Sequence, residues 1–504
     1  MSEPYKKISH GVIPTLERLN QVINEVGALN RDVDLPFSFA ITSGTTRFGY
    51  LFPDLQTADA LLPDVPEMRA SLVRLGASMI EMVADSANSS IPSAYTYFGQ
   101  FVDHDITFEA KSDGMVKLSD QDFRVLTSEE IRANITNGRT PGLDLDNVYY
   151  KPAPRNCSRM VVGFVSSVDR NAPLPYKAND LPRKPRSSRP EDDRVALIGD
   201  KRDDENLIIA QLHVAFLRAH NAIAAQGHTF QEARRILRRH YQWIVIRDFL
   251  PRICDPWIVS EILFGGNTVF RPNVDDLFMP FEFSVAAYRF GHSMVRGTYH
   301  YNSNFPRARL TDLFMLTALS GKLGDDSPTL PESWIIEWKN FLDGGVNRAR
   351  PIDTSLSRAL FDLTEFNKPM PIEARLSVRN LLRGYMLRLP TGQAVASALG
   401  LKGLSPEDIE AVARSVSDVQ LAAICDGGFS QRTPLWYYIL AEAATESTGR
   451  LGPVGSTIVA EVLIGLVRGS KDSILREPGW KPMLGETPGL FTLRDLLKLG
   501  GVLN

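Results

Sequence analysis

Residues 97–108 read YFGQFVDHDITF and combine an apolar helical pattern with Gln100, Asp103, His104 and Asp105. Buried carboxylates and amides need hydrogen-bond partners, because removing them from water alone is costly. On a helix, Gln100 and His104 lie one turn apart on one face, with Asp103 beside them. Asp105 is rotated by about 100° from His104 and faces a different neighbour. The stretch therefore predicts two polar sites, one that handles protons and one that offers hard oxygen ligands.

The composition is that of an ordinary globular chain. The 504 residues are 43% hydrophobic and 23% charged, with a net charge of -3, which gives no electrostatic case for binding nucleic acid or an anionic membrane surface. The three cysteines, Cys157, Cys254 and Cys425, form no CxxC motif, so neither a zinc ribbon nor a disulfide framework is indicated. Residues 1–19 lack the apolar core of a signal peptide, and the apolar stretch 458–467 is too short to span a bilayer. These features favour a cytoplasmic location without a membrane span, with leaderless secretion as the alternative.

Helical patterns dominate the rest of the chain, and strand signals are scarce and short. The predicted helices cover residues 67–87, 206–226, 230–250, 287–295, 377–389, 407–421, 433–447 and 454–467. Pro251 is expected to end the helix 230–250, and the stretches 172–194 and 321–331 are expected to be loops. We therefore expect a mainly α fold, with one large helical domain over residues 65–504, few short strands, and residues 1–64 as an N-terminal arm wrapping the core.

A second polar stretch, residues 137–149, offers oxygen donors at alternate positions. These donors are Thr140, the backbone carbonyl of Gly142, Asp144 and Asp146. Alternate positions of an extended loop point the same way, and converging carboxylate, hydroxyl and carbonyl oxygens suit calcium, which takes six to eight of them. Asp105, arriving from the helix, would complete the shell. The other interpretation is an Asp-rich turn in solvent, since the pattern is not that of an EF-hand.

A third stretch, residues 199–206, is a run of charges ahead of the predicted helix 206–226. Asp203 or Asp204 is expected to cap that helix, and Glu205 suits its positive end. On the helix itself, His213 and His220 are seven residues apart. They are interpreted as structural, because no carboxylate pattern accompanies them as it would in a metal site.

The fourth stretch, residues 288–295, places His292 on an apolar helical segment directly after Gly291. A glycine at that position lets a flat ligand or another backbone come close. Imidazole is a standard axial ligand of haem iron, and a ligating histidine usually donates its other N–H to an acceptor, which Asn380 could supply. Judged alone, both His104 and His292 are also compatible with ordinary packed histidines.

Taken in chain order, these segments resemble the animal-type haem peroxidases, the peroxidase–cyclooxygenase superfamily that includes myeloperoxidase, and the chain looks like one of its bacterial members. The similar segments are residues 98–105 (distal helix), 140–149 (calcium loop), 201–205 with 212–221 (distal arginine and its helix), 231–234, 247–251, 289–292 (proximal segment), Asn380 nine residues before Leu389, and 449–453. The resemblance covers roughly residues 65–470, and it implies that the large helical domain is a haem peroxidase domain.

The resemblance also implies how a haem b would be held. His292 would be the ligand of the haem iron, with Asn380 accepting its second N–H and Arg289 beside the cofactor. An amide oxygen accepts less proton density than a carboxylate, which leaves the iron more oxidising. Asp103 and Glu205 stand where members of the family form ester bonds to haem methyl groups.

On the distal side, the resemblance implies peroxide chemistry. His104 would be the general base, Arg202 would stabilise the negative charge that develops as the O–O bond breaks, and Gln100 would orient peroxide, water or a halide. The expected activity is reduction of hydrogen peroxide with oxidation of small donors such as phenols, iodide, bromide or thiocyanate, as in a response to oxidative stress. Asn206 follows Glu205 where myeloperoxidase has methionine, so chloride oxidation is less expected, and the family's disulfides are missing.

The calcium loop would supply the second cofactor. Its predicted ligands are Asp105, Thr140, Gly142, Asp144 and Asp146, and Asp105 would couple the Ca²⁺ ion to the position of the neighbouring distal histidine.

Two other functions compete with this interpretation. The first is a fatty-acid dioxygenase of the same superfamily, in which a tyrosine stands three residues before the proximal histidine. Here that position holds Arg289, and Tyr288 is one residue further back, so on an α-helix Tyr288 should face elsewhere. The second is a non-catalytic haem-binding or adhesion module, against which the intact distal and proximal residues weigh.

Overall fold

The structure is a computed structural model. It describes residues 5–8, 11–14, 46–85, 87–109, 123–151, 153–167, 173–189, 192–314, 317, 327–361 and 375–503. Most of the predicted loop 321–331 lies outside these residues.

The described part of the chain is built mainly from α-helices. They are α1 Met68–Ser78, α2 Ala94–Ile106, α3 Ser128–Asn134, α4 Asp146–Tyr149, α5 Leu207–Ala224, α6 Phe230–Ile244, α7 Leu250–Ile253, α8 Pro256–Gly265, α9 Leu310–Phe314, α10 Arg358–Phe361, α11 Leu376–Met386, α12 Gly392–Ala398, α13 Pro406–Val416, α14 Asp418–Asp426, α15 Leu435–Thr445, α16 Pro453–Gly469 and α17 Leu493–Leu499.

The strands are short and pair in twos and threes. They are β1 Tyr5–Ile8, β2 Gly11–Pro14, β3 Thr46–Gly49, β4 Thr136–Asn137, β5 Arg155–Asn156, β6 Arg159–Met160, β7 Gly163–Ser166, β8 Pro173–Asp180, β9 Phe278–Pro280, β10 Thr298–Tyr299 and β11 Ala308–Arg309. The pairs β1–β2, β5–β6, β7–β8 and β10–β11 are antiparallel, and β3 lies between β4 (antiparallel) and β9 (parallel). The prediction of a mainly α fold with few short strands is confirmed.

The predicted loop 172–194 is wrong over its first half, where β8 pairs with β7 in an irregular hairpin. Prolines at 173 and 175 hide this strand in the sequence. They are tolerated because β8 has only one neighbouring strand, so its other edge needs no backbone N–H donors.

The predicted stop at Pro251 is also wrong. After α6 the chain makes a π-helical turn, Val245–Phe249, and then continues as α7. Pro251 falls in the first turn of α7, where a missing N–H costs no α-helical hydrogen bond. By contrast, Ser417 divides the predicted helix 407–421 into α13 and α14, because its backbone is extended and its side chain caps α14 at Gln420 N–H.

Helix α5 lies at the centre of the core. It is long and apolar enough to cross a bilayer, but 83% of it is buried inside the protein, as expected for a core helix. Helix α2 packs on α5 through the stacked rings of Phe101 and Phe216, whose centroids are 4.2 Å apart. Helices α6 and α17 also pack on α5. The stretch 97–108 is therefore fixed against a helix that is almost entirely buried.

Glu282 anchors the chain around β3 to the segment that leads to His292. It lies fully buried in a π-helical turn, Glu282–Ala286, and accepts the backbone N–H groups of Leu51 and Phe52 at 2.7 and 3.1 Å. Burial raises the pKa of Glu282 to about 7. The division into an arm of residues 1–64 and a domain from residue 65 stays a prediction.

Glu282→Gln is expected to weaken the dependence of stability on pH. A carboxyl whose folded pKa is raised binds more protons in the folded state, so its contribution is lost as pH rises from its ordinary value of 4.5 through about 7. Between pH 5 and 8 this loss is about 2 kcal/mol, and a glutamine does not titrate. Urea unfolding of both proteins at the two pH values measures it, with exposed Glu261→Gln as the control. Equal pH dependence in Glu282→Gln and the unsubstituted protein would contradict the assignment.

Candidate functional site

His104 is fixed on the buried face of α2 by one of its two ring nitrogens. Its Nδ1 lies 2.7 Å from Asp203 Oδ1, and only 4% of the residue is exposed. Among the described residues, none forms a hydrogen bond with Nε2. One nitrogen is therefore held by the protein, and the other is open to a ligand.

Asp203 is a shared partner that the sequence interpretation missed. Its Oδ2 accepts from His213 Nδ1 at 2.7 Å and from Asn147 Nδ2 at 2.9 Å. Burial would raise the pKa of Asp203, but the hydrogen bonds from the two histidines outweigh it and hold the pKa below its usual value. Burial and the charge of Arg202 would lower the pKa of His104, but the hydrogen bond and charge of Asp203 outweigh them and raise it.

Arg202 lies beside the last turn of α2. Its Nε and Nη2 donate to Asp200 at 3.0 and 2.7 Å, and Nη2 also donates to the carbonyls of Thr107 and His104 at 2.5 and 3.3 Å. Burial would lower the pKa of Arg202, but the charge and hydrogen bond of Asp200 outweigh it and raise the pKa. Arg202 is therefore a fixed cation, with Nη1 4.0 Å from Asp103 Oδ2.

Asp200 is itself held by two arginines. Arg139 Nη2 donates to Asp200 at 2.6 Å, and the Arg139 Nε donates to the carbonyl of His104 at 3.3 Å. Arg139 and Arg202 come from distant stretches of the chain and thus bind the same carboxylate near the C-terminal end of α2. Nothing in the sequence marks Arg139 beyond its place in the loop 137–149.

Gln100 lies one turn before His104, as predicted, and is held by two residues from the run 199–206. Its Nε2 donates to Glu205 Oε2 at 3.3 Å, and its Oε1 accepts from Asn206 Nδ2 at 3.3 Å. Burial raises the pKa of Glu205. The amide of Gln100 is therefore oriented by its neighbours.

The cap of α5 differs from the prediction. Asn206 is the capping residue, and its side chain accepts from Ile209 N–H at 3.0 Å. Asp203 and Asp204 cannot reach that position because they belong to the preceding 3-10 turn, Lys201–Asp204. Their carboxylates instead meet His104 and Arg183.

His292 ends an irregular helical segment rather than an α-helix. The π-helical turn Glu282–Ala286 is followed by a 3-10 turn, Ala287–His292. Asn380 on α11 lies against the ring, with its Nδ2 2.8 Å from His292 Nδ1, and Trp436 packs edge-on at 6.5 Å between ring centroids. A Cβ added at Gly291 would meet nothing within 4 Å, so open space borders the histidine.

The protonation of His292 suits metal ligation. Burial and the charge of Arg289 lower its pKa to about 3, which keeps the imidazole neutral. None of the described residues forms a hydrogen bond with Nε2. A half-turn of the Asn380 carboxamide, which exchanges its nitrogen and oxygen, lets Oδ1 accept from Nδ1–H and leaves the Nε2 lone pair free.

Asp103 links the two histidine segments. Helix α2 packs against the turn Ala287–His292, and the negative charge of Asp103 acts on His292. Burial would raise the pKa of Asp103, but the positive charges of Arg289 and Arg202 outweigh it and lower the pKa. The structure thus brings the predicted distal and proximal residues to one place.

The side chain of Tyr288 lies against α2, whereas we expected it to face elsewhere. Its ring stacks on Phe283 with centroids 4.6 Å apart, and its hydroxyl lies 3.9 Å from a Cβ built on Gly99 of α2. The hydroxyl is buried and has no hydrogen-bond partner among the described residues. The contrary expectation assumed α-helical geometry, whereas the chain here changes from π to 3-10 turns.

The predicted calcium loop is brought against Asp105. Asp146 N–H donates to Asp105 Oδ1 at 2.6 Å, Thr140 N–H donates to Asp146 Oδ2 at 2.9 Å, and Asp105 is buried near the Tyr241 hydroxyl. Burial and the charges of Asp146 and Asp144 raise the pKa of Asp105 well above its usual value. Asp105 and Asp146 are thus a pair of buried carboxylates with no ion-pair partner among the described residues.

The other residues predicted as calcium ligands include Gly142 and Asp144, which lie close to each other. A Cβ at Gly142 would be 2.9 Å from Asp144 Oδ2, and the residues on either side of Asp144 have positive φ, 56° at Leu143 and 59° at Leu145. Arg238 approaches Asp144 at 3.5 Å. Within the described ranges, no group of three or more His, Cys, Asp or Glu residues has the geometry of a metal site.

The other histidine of α5 has a structural environment. His220 contacts the Tyr149 hydroxyl at 2.9 Å and the Ser158 carbonyl at 3.0 Å, so both of its ring nitrogens are engaged by the protein. The three cysteines are free thiols, and Cys254 is buried. Burial raises the pKa of the Cys254 thiol, which makes it unreactive.

Comparison with known proteins agrees with this geometry. Residues 124–323 match the family model described as animal haem peroxidase. The matched range includes the loop 140–149, Arg202, Glu205 and His292, while His104 and Asn380 lie outside it.

Animal peroxidases are also similar in sequence over parts of the chain. Human thyroid peroxidase (Homo sapiens) is 28% identical over 253 residues, which is 44% of this chain and 25% of that protein. A peroxidase-like protein of Margaritifera margaritifera is 35% identical over 123 residues, 22% of this chain and 16% of its own length. The chain thus spans a quarter or less of these relatives.

The peroxidase fold extends over most of the chain. Peroxidase A from Dictyostelium discoideum superposes with a TM-score of 0.56 at 16% identity, covering 87% of this chain and 89% of that one. Fatty acid alpha-dioxygenase of Arabidopsis thaliana superposes with a TM-score of 0.52 at 11% identity, covering 88% and 75%. These likenesses show the shared fold.

Proposed function

We propose that the protein is a haem peroxidase that reduces hydrogen peroxide and oxidises small donors. The observation that carries the proposal is the pair of imidazoles, buried His104 and half-buried His292, each held at Nδ1 by a polar partner and open at Nε2. The open space beside Gly291 suits the flat face of a porphyrin. The residues present fit haem, which when bound supplies an iron that exchanges electrons with peroxide and donor.

On the distal side, the chain moves one proton between the two oxygens of peroxide. Nε2 of His104 accepts a proton from one oxygen of peroxide and returns it to the other oxygen, which leaves as water when the O–O bond breaks. The fixed charge of Arg202 stabilises negative charge that develops on the leaving oxygen. Gln100, oriented by Glu205 and Asn206, positions the peroxide or a competing water or halide.

On the proximal side, His292 would be the iron ligand and Asn380 would accept its Nδ1–H. Arg289 lies beside it, held at Nε by the Ser284 carbonyl at 2.9 Å. We extend the proposal to ester bonds from Asp103 and Glu205 to the haem, since both are buried or half-buried carboxylates next to the two histidines. The donors proposed are phenols, iodide, bromide and thiocyanate.

Purified haem-loaded protein tests the proposal against both alternatives. We expect guaiacol and iodide oxidation that depends on peroxide, no oxygen uptake with linoleate in the absence of reductant, and haem that acid acetone fails to extract. A Soret band without any peroxide-dependent oxidation would favour the non-catalytic haem module. Free extraction of haem would contradict the ester bonds alone.

A fatty-acid dioxygenase is the second candidate because of Tyr288. A buried phenol with no hydrogen-bond partner among the described residues, close to Gly99 of the helix that carries His104, is a candidate hydrogen-abstracting group. Oxygen uptake with linoleate that Tyr288→Phe abolishes would establish this activity and reverse the order of the two candidates. Tyr301→Phe, which alters another fully buried tyrosine, is the control.

We propose further that the loop 140–146 binds Ca²⁺. The buried carboxylate of Asp105 accepts the backbone N–H of Asp146 through Oδ1, and the raised pKa values of both residues indicate that a cation would relieve their repulsion. The cytoplasmic location and the absence of nucleic-acid partners remain proposals from composition.

Removal of calcium is expected to destabilise the protein. At a Ca²⁺ concentration 100 times Kd, binding to the folded state contributes about 3 kcal/mol, which chelation with EDTA would remove and added Ca²⁺ would restore. Thermal unfolding measures the change, with Mg²⁺ as the ion control. Asp146→Asn should lose the response, and exposed Asp275→Asn should keep it. Identical melting of the unsubstituted protein with EDTA and with Ca²⁺ would contradict the site.

A further inference from the structure

Asp203 occupies an unusual position for a buried carboxylate. It is fully buried, and its side chain meets two imidazoles and one carboxamide, with no arginine or lysine partner among the described residues. A buried carboxylate without a cation is costly, so the hydrogen bonds that it accepts must all be made. This requirement determines which ring nitrogens of its neighbours carry protons.

Each carboxylate oxygen has a separate set of donors. Oδ1 faces His104 Nδ1 alone, whereas Oδ2 faces both His213 Nδ1 and Asn147 Nδ2. Because an ionised carboxylate only accepts, Nδ1 of His104 must carry a proton. A neutral imidazole has one N–H, so its Nε2 then keeps the lone pair that faces the open side.

We infer that Asp203 is the positioning residue that makes His104 a base, by fixing its tautomer with the proton on Nδ1. The inference rests on the proposed function, because a base at Nε2 matters only if peroxide binds there. Asp203 also lies where its charge stabilises His104 while that residue holds the proton taken from peroxide. Asp203 touches no reacting atom and acts through His104.

The same carboxylate ties the base to the neighbouring loop. Asn147 directly follows Asp146 and donates to Asp203, while Asp105, next to His104 on α2, accepts the backbone N–H of Asp146. His104 is therefore held from both sides by one short stretch of chain. His213, on α5, completes the set.

Asp203→Asn is the decisive variant, because it changes hydrogen-bonding capacity with almost no change of shape. Oδ2 of Asp203 serves two donors, so the single oxygen of asparagine is expected to take that place and turn its NH₂ group towards His104. Nδ1 of His104 must then accept, and the proton moves to Nε2. The base is blocked although its imidazole stays in position.

The tautomer is measured directly on haem-loaded protein labelled with ¹⁵N-histidine, in the diamagnetic ferrous carbon monoxide form, because this ligand brings no proton to the base. We expect the His104 proton on Nδ1 in the unsubstituted protein and on Nε2 in Asp203→Asn, with the haem-to-protein ratio unchanged. Stopped-flow mixing with peroxide should show a rate constant lowered by about 100-fold or more in the variant.

A double variant, Asp203→Asn with Asn147→Asp, supplies the rescue. The new carboxylate at position 147 accepts from the NH₂ group of the new carboxamide at position 203, which frees the amide oxygen there to accept from His104 Nδ1–H. We expect the proton to return to Nδ1 and the rate to recover at least about tenfold. If Asp203 served only to stabilise the fold, exchanging the two side chains would not restore the rate of reaction with peroxide.

The outcomes separate this inference from the proposed function. A proton on Nε2 of His104 in the unsubstituted protein would overturn the inference without any variant, as would Asp203→Asn that keeps both the Nδ1 proton and the full rate. An unsubstituted protein with the Nδ1 proton that fails to react with peroxide would support the tautomer and contradict the peroxidase.

Discussion

His104→Ala is expected to slow the reaction with hydrogen peroxide by about 100-fold or more, the usual scale of a positioned acid–base group. The imidazole offers an open lone pair at Nε2 on α2, one turn from Gln100 and beside Arg202. The alanine leaves Arg202 in place, since that side chain donates to the backbone carbonyl of residue 104 and not to the ring.

Stopped-flow measurement of the peroxide rate constant checks this expectation. His228→Ala, at a half-buried histidine ahead of α6, is the control and should react at the normal rate. Haem content and Soret position should be the same in both variants. An unchanged rate in His104→Ala would remove this residue from the mechanism.

His292→Ala is expected to lose the iron ligand and with it the tight binding of haem. Its imidazole is neutral because burial and Arg289 lower its pKa to about 3, and no other described histidine lies on the turn Ala287–His292. We expect haem content to fall at least about tenfold, or, if ester bonds retain the haem, the Soret band to shift with loss of the histidine ligand.

Added imidazole provides the control for this second variant. It can enter the space left by the side chain and should restore the original Soret position, which a misfolded protein would not do. His300→Ala, at a half-buried histidine outside the site, should bind haem normally. Retention of an unshifted Soret band in His292→Ala would contradict the axial role.

The sequence was sufficient for the parts of the fold that depend on local patterns. Apolar spacing located helices near residues 97–106, 206–226 and 454–467, where α2, α5 and α16 form. The predicted helix end at Pro251 was wrong because a π-helical turn, which no local pattern revealed, places this proline in the first turn of α7. The strand Pro173–Asp180 was hidden because its pairing with β7 is a tertiary contact.

The candidate site, like the fold, could be predicted from the sequence only in part. Single residues with strong chemistry, such as His104 and His292, could be chosen from motifs that resemble a known family. The role of Asp203 could not, because its position in a charge run favoured a helix cap, and only the folded chain places it between two histidines from different helices. Tyr288 was misjudged because its direction depends on the π-to-3-10 change before His292.

The central claim is that an iron porphyrin lies between His104 and His292. Resonance Raman spectroscopy of the ferrous haem-loaded protein tests it most directly, through the stretching band of the iron–histidine bond. We predict a band that shifts when histidine is labelled with ¹⁵N, that persists in His104→Ala, and that disappears in His292→Ala. A band that survives in His292→Ala, or no such band in the unsubstituted protein, would contradict the claim.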